Sequence, residues 1–203
     1  DEYVDFKTEL VDVRIIPKQM QINMGNWRND ADPMDVLQAF VAAFGGYYDE
    51  EFSTKEASYS RAMNLIAKVP TIVSSWHRIR NNKKIIQPDS NLCHAANFLY
   101  MLNGEKPDLE MEKIFDICLI LHADHTLNAS TFAARQVAST RAHMYSAASA
   151  AVGALSGELH GGANYEVMRM LLDIKTEENV ESYIKGEFAK NKRIMGMGHA
   201  VYK

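Results

Sequence analysis

Apolar and polar positions along this chain repeat with the period of a helix. Between Glu110 and His122, Met111, Ile114, Phe115, Cys118 and Leu121 recur three and four residues apart, which predicts an amphipathic helix with one face in the core. From Thr54 to about Arg80, Met63, Ile66, Ala67, Ile72, Val73, Trp76 and Ile79 keep the same spacing. Pro70 interrupts that run with a residue that has no N–H to donate, and marks a kink or a break between two helices.

Start and stop signals agree with the periodicity. In Asp32-Pro33-Met34-Asp35, Asp32 can cap free N–H groups, Pro33 loses no needed donor, and Asp35 suits the positive end of the dipole. Gly45-Gly46 stops that helix. Asp89 to Leu102 reads as another helix ended by Asn103-Gly104, and two more are expected over Ser130–Arg141 and Met144–Leu155. The last is almost all Ala, Ser, Val and Gly, so it is expected to be a central packing helix or a subunit contact. No alternating β-branched run exceeds four residues, and all-α is the expected class. With no internal repeat or linker, the chain reads as one domain or part of one.

Composition narrows the function classes. The chain has 203 residues, a net charge of -4, 47% hydrophobic residues and no basic run longer than Lys83-Lys84, which offers no footprint for nucleic acid or an anionic membrane. Its longest nearly polar-free stretch, Ser146 to Leu155, is about half of the ~20 residues that a membrane span needs. Cys93 and Cys118 lie far apart in apolar helical patterns and read as small buried hydrophobes in a reducing compartment, with no disulfide expected. The chain opens on Asp1 and closes on Lys203 without tail-like composition, and is expected to be a piece of a longer protein.

The candidate chemistry lies in the 7 histidines. His77 and His94 fall inside helical patterns and read as surface or satisfied residues, while His143, between two helices, suits capping or packing. His122 continues the apolar stripe of Phe115 and Cys118 and reads as a buried histidine satisfied by a neighbour, or as a site residue. His125, beside Asp124 and near Asn128, forms a polar cluster past that helix. His160 is followed by Gly161-Gly162, and His199 is preceded by Gly196 and Gly198. Glycine allows close approach of a ligand or backbone and leaves N–H groups free to point at an anion, so these two are site candidates. A metal site is one reading, since His122, Asp124 and His125 are within four residues, although the Asp-His order reverses that of the helical metal phosphohydrolases. Nucleophilic hydrolysis lacks a Gly-x-Ser-x-Gly elbow, and no phosphate loop or dinucleotide fingerprint occurs. Metal-free proton chemistry by neutral imidazoles that polarise a carbonyl is the third reading.

The segments "LHADHTLNASTF" (121–132), "LHGGAN" (159–164) and "IMGMGHAVYK" (194–203), in that order with the Ala-rich helix between the first two, resemble the three histidine segments of the citrate synthase family. "DPMDVL", "IAKVPTIV", "NFLYMLNGEKPD" and "IFDICLILHADH" are also similar to that family, so the resemblance covers nearly the whole chain. It implies part of an all-α, multi-helical large domain over 1–203, with the smaller closing domain and a first N-terminal segment lying outside the chain. It implies a Claisen-type condensation of acetyl-CoA with oxaloacetate followed by thioester hydrolysis, without metal or other cofactor. His160 would hydrogen-bond the thioester carbonyl and stabilise its enol, and His199 would bind and protonate the oxaloacetate carbonyl. His125, with Asn128 beside it, would hold oxaloacetate. The backbone at Gly161, Gly162 and Ala163 and at Met195, Gly196, Met197 and Gly198 would lie along the CoA side. Glu158 stands where the family usually has Pro, and Ala200 where many members have Arg. The family's catalytic aspartate and carboxylate-binding arginines fall beyond the stretch matching "GHAVYK". A cytoplasmic homodimer is implied, with neither nucleic acid nor membrane as partner. A 2-methylcitrate synthase using propionyl-CoA, or a non-catalytic helical dimer module, fits the same motifs.

Overall fold

The computed structural model describes residues 1–48 and 54–198. Among the described residues there are α-helices and short 3-10 turns and no strand, so the class is all-α as the periodicity requires. Two compact units divide the chain, Asp1–Gly153 and Ala154–Lys203.

The first unit is built around one long helix. It contains α1 (Glu2–Asp12), α2 (Lys18–Gly25), α3 (Pro33–Ala43), α4 (Lys55–Arg80), α5 (His94–Asn103), α6 (Leu109–Leu121), α7 (Ala129–Ser139) and all but the last two residues of α8 (Met144–Leu155). α1, α2, α3 and α5 pack on α4, and α6 packs on α5. The core joins Ile16, Met20 and Met24 to Val36, Phe40 and Phe44 of the α3 region, Ile72 and Trp76 of α4, and Tyr145 of α8. Asp32 Oδ1 accepts from the Met34 N–H at 2.7 Å with Pro33 in the first turn, as the capping signature predicts. α3 runs out through a 3-10 turn, Phe44–Gly46.

Three sequence expectations change. Pro70 neither breaks the helix nor divides it, because α4 is continuous from Lys55 to Arg80. The carbonyl that loses its partner to proline is that of Ile66, and Ile66 is 47% exposed, where water can replace the missing N–H. α5 starts at His94 rather than Asp89, because Asp89 instead shapes a turn: its Oδ1 accepts from the Asn91 backbone at 2.9 Å and its Oδ2 pairs with Lys106 at 2.8 Å. That partner and the Asn91 N–H hold the Asp89 carboxyl down to about 2.

The third change concerns the apolar stripe on α6, none of whose residues is buried. Phe115 stacks on Phe98 of α5 at 5.1 Å, whereas Met111 and Ile114 are each 49% exposed and Leu121 73%. Cys118 lies on the same helix and is exposed, so it is not a core residue. Cys93 is exposed too, because it caps α5, accepting the Ala96 N–H at 3.4 Å while its thiol faces Glu112 Oε1 at 3.2 Å. By contrast, α8 packs inward: Tyr145, Ala147 and Ser149 are buried, and Ser149 Oγ donates to the Gln38 carbonyl of α3 at 3.0 Å. Its small side chains permit that approach.

The second unit holds α9 (Gly162–Ile174) and α10 (Val180–Ala189), joined through a 3-10 turn at Glu177–Asn179. Asn179 Nδ2 donates to the Ile174 carbonyl at 2.9 Å and closes the end of α9.

Candidate active site: the histidine loops

In the first unit, the loop between α6 and α7 presents His125. His122 ends α6, where its N–H and its ring both meet the Cys118 carbonyl, the ring Nδ1 at 2.7 Å. A carbonyl only accepts, so Nδ1 carries the proton. His122 is thus satisfied by a neighbour but exposed, not buried. Asp124 Oδ1 accepts from the Thr126 N–H at 3.1 Å, with Thr126 at φ 50, which bends the chain sharply after His125. Asn128 caps α7, its Oδ1 accepting from the Thr131 N–H at 2.8 Å and from Ser130 Oγ at 2.7 Å. Asp124 and Asn128 therefore shape the loop, and half-buried His125 is held between them.

His143 performs the capping role expected of it. Its Nδ1 accepts from the Ser146 N–H at 3.1 Å at the start of α8, and its ring packs edgewise on Tyr145 at 5.9 Å. His77 is exposed on α4. His94 opens α5 half-buried, and burial, with the Arg14 guanidinium next in size, pushes its pKa below the usual imidazole value.

In the second unit, His160 sits in the turn between α8 and α9. Its N–H donates to the Gly157 carbonyl at 2.9 Å, the Gly161 N–H to the Leu155 carbonyl at 3.0 Å, and the Gly162 N–H to the Gly157 carbonyl at 3.4 Å. The N–H groups of both glycines are thus engaged in the turn, which corrects the expectation that they are left for an anion; the Leu155 and Gly157 carbonyls take them to close the turn. Gly161 is the N-cap of α9, Gly162 its first residue and Ala163 its second. Glu158 is exposed, and the turn closes without the family's proline.

Met195, Gly196, Met197 and Gly198 form a turn with the Met197 N–H 3.4 Å from the Ile194 carbonyl. Gly196 at φ +83 and Gly198 at φ +80 occupy left-handed backbone that other residues rarely adopt, so here glycine serves conformation. A Cβ on Gly196 would stand 3.2 Å from Val167 Cγ2 of α9, which rests this turn against the helix that His160 precedes. Met195 also edges a cleft of ≈ 270 Å³ between α9 and α10, with Arg169, Asp173, Tyr183 and Arg193 among its walls. His199 and Ala200 lie outside the described residues. Among the described residues no group of three His, Cys, Asp or Glu side chains gathers as a metal site, and no helix is long and apolar enough to cross a membrane.

Fold and loops together define an all-helical protein that presents His125 on the loop between α6 and α7 and His160 on the glycine-rich turn ahead of α9. The family description "Citrate synthase, C-terminal domain" matches residues 1–203. The citrate synthase of Synechocystis sp. is 45% identical over 204 residues, which cover 100% of this chain and 51% of that protein. Citrate synthase 2 of Bacillus subtilis is 42% identical over 205 residues, 100% of this chain and 55% of that one. The crystal structure of citrate synthase from Pyrobaculum aerophilum matches with a TM-score of 0.85 at 38% identity, over 98% of this chain and 52% of that chain. The chain belongs to the citrate synthase family. It spans about half the length of these relatives.

Proposed function

We propose that this chain is part of the large helical domain of a citrate synthase, and that the whole protein condenses acetyl-CoA with oxaloacetate and hydrolyses the resulting thioester to citrate and CoA. The observation that carries the reading is the family match across residues 1–203, with His160 held in a closed turn at the head of α9. In this reading a base from outside the chain removes a methyl proton of acetyl-CoA. His160 donates a hydrogen bond to the thioester oxygen as the enol forms, where a donor already in place needs no reorganisation. The enol carbon bonds to the oxaloacetate carbonyl carbon, and His199 protonates the alkoxide. Water then cleaves the thioester and CoA leaves as the thiol. His125 holds oxaloacetate, with Asn128 shaping its loop, and the backbones of 161–163 and 195–198 line the CoA side. No metal or other cofactor is part of the scheme.

The reading includes a cytoplasmic homodimer. The outward apolar face of α6, with Met111, Ile114 and Leu121, is the kind of surface that a second copy covers. Light scattering of the whole protein is expected to give the mass of two chains, and the mass of one would remove the dimer. For activity, the whole protein supplied with oxaloacetate and acetyl-CoA is expected to release free CoA thiol; no release ends the proposal. Competition with propionyl-CoA separates the 2-methylcitrate alternative, since one methylene carries ~1–3 kcal/mol of discrimination.

A further inference from the structure

The turn holding His160 contains glycine at 157, 161 and 162, and these three are not equivalent. Gly161 has φ -77 and ψ -15, a conformation open to any residue, so conformational freedom is not its reason. Its reason is space. A Cβ on residue 161 would stand 2.1 Å from the Leu155 carbonyl oxygen and 3.0 Å from both Leu155 Cγ and Cδ1. That oxygen is backbone at the end of α8 and already accepts the Gly161 N–H, so it cannot turn aside as a flexible side chain would. A Cβ at 157 would meet its nearest atom at 3.3 Å, and one at 162 at 3.7 Å.

We propose that Gly161 is the positioning residue for His160. Because it lacks a Cβ, the C-terminal carbonyl of α8 docks within hydrogen-bond distance of residue 161, and this contact fixes the backbone from which the neighbouring imidazole projects. The inference rests on the role assigned to His160 above. Restoring an ordinary contact after Gly161→Ala requires a backbone shift of about 1 Å, and a displacement of that size in a reacting geometry lowers the rate about 10²-fold.

The test uses the whole protein with G161A, G157A, H160A and the double variant H160A/G161A. G161A is expected to melt cooperatively and to lose about 10²-fold in kcat with KM for oxaloacetate within about twofold, while G157A, whose added methyl meets its nearest atom at 3.3 Å, stays near wild type. Because Gly161 acts through His160, the double variant is expected to turn over as H160A does. Additive losses, a normal G161A, an equally impaired G157A, or a G161A protein without a cooperative melt would each overturn the inference. The histidine C2–H resonance of His160, assigned by its loss in H160A, is expected to move in G161A and stay in G157A. That comparison needs no turnover, so it decides the inference even if the wild-type protein releases no CoA and the functional reading fails.

Discussion

Adding one methyl group at Gly45 tests how the first unit is packed. A Cβ there would stand 2.7 Å from His143 Nε2 and 2.8 Å from Cε1. The ring is not free to swing away, because its Nδ1 accepts from the Ser146 N–H at 3.1 Å and its edge faces Tyr145. Gly45→Ala must therefore either displace the ring, losing a helix cap that contributes about 0.5–2 kcal/mol, or shift the 3-10 turn, an overpacking strain of about 1–3 kcal/mol. Depending on the route, stability falls by about 0.5–3 kcal/mol. Gly46 is the control, since a Cβ there meets nothing within 4 Å; Gly46→Ala is expected to be neutral or to stabilise by up to about 1 kcal/mol through the unfolded chain. The assay is urea unfolding of G45A, G46A, H143A and G45A/H143A in the whole protein. With the imidazole removed, the added methyl is expected to be harmless, so the double variant matches H143A. A G45A protein as stable as G46A, or the same loss from G45A with and without His143, would refute the reasoning.

Two further outcomes are expected. Thr71 is fully buried and its hydroxyl donates to the Arg14 carbonyl at 2.9 Å, so Thr71→Val is expected to lose about 1–3 kcal/mol by orphaning that oxygen, and unchanged urea unfolding would contradict it. His94 resists protonation in the folded state through burial and Arg14, with Asp116 opposing; below about pH 6.5 the unfolded chain takes up a proton that the folded one refuses, and stability falls as pH drops. His94→Gln is expected to flatten that acid limb of melting temperature against pH, and an equally steep limb would exclude His94 as its source.

What could be read in advance follows from where each signal resides. The caps of α3 and the span of α8 were legible because an Asp-Pro start and a run of small residues act locally. The left-handed Gly104 at φ +101 likewise ends α5 as its Asn-Gly pair predicts. α1 and α2 were not legible, since α1 buries only Leu10 and α2 only Met20 and Met24. α9 starts without a side-chain cap, its first contacts being Gly161 and Gly162 in the turn with α8. The polar layer beneath α8 was also hidden: Lys68, outside the apolar stripe in sequence, is buried and donates to Asn64 Oδ1, and Asn64 Nδ2 donates to the Tyr145 hydroxyl at 3.3 Å. Asn64 is one turn away, but the Tyr48 ring 5.0 Å from the Lys68 ammonium and the Tyr145 hydroxyl beyond Asn64 are distant in the chain, and no local pattern reports them. In the candidate site, the histidine segments were legible as motifs, whereas Gly161 was misread as a free donor because the carbonyl that takes its N–H belongs to Leu155, six residues back.

The most direct test of the central claim is the turnover number of His160→Ala in the whole protein, with CoA thiol release from acetyl-CoA and oxaloacetate as the signal. Loss of a donor aimed at a developing oxyanion is expected to lower kcat by about 10²-fold or more, while a rate near wild type would contradict the assignment of His160 to the thioester carbonyl.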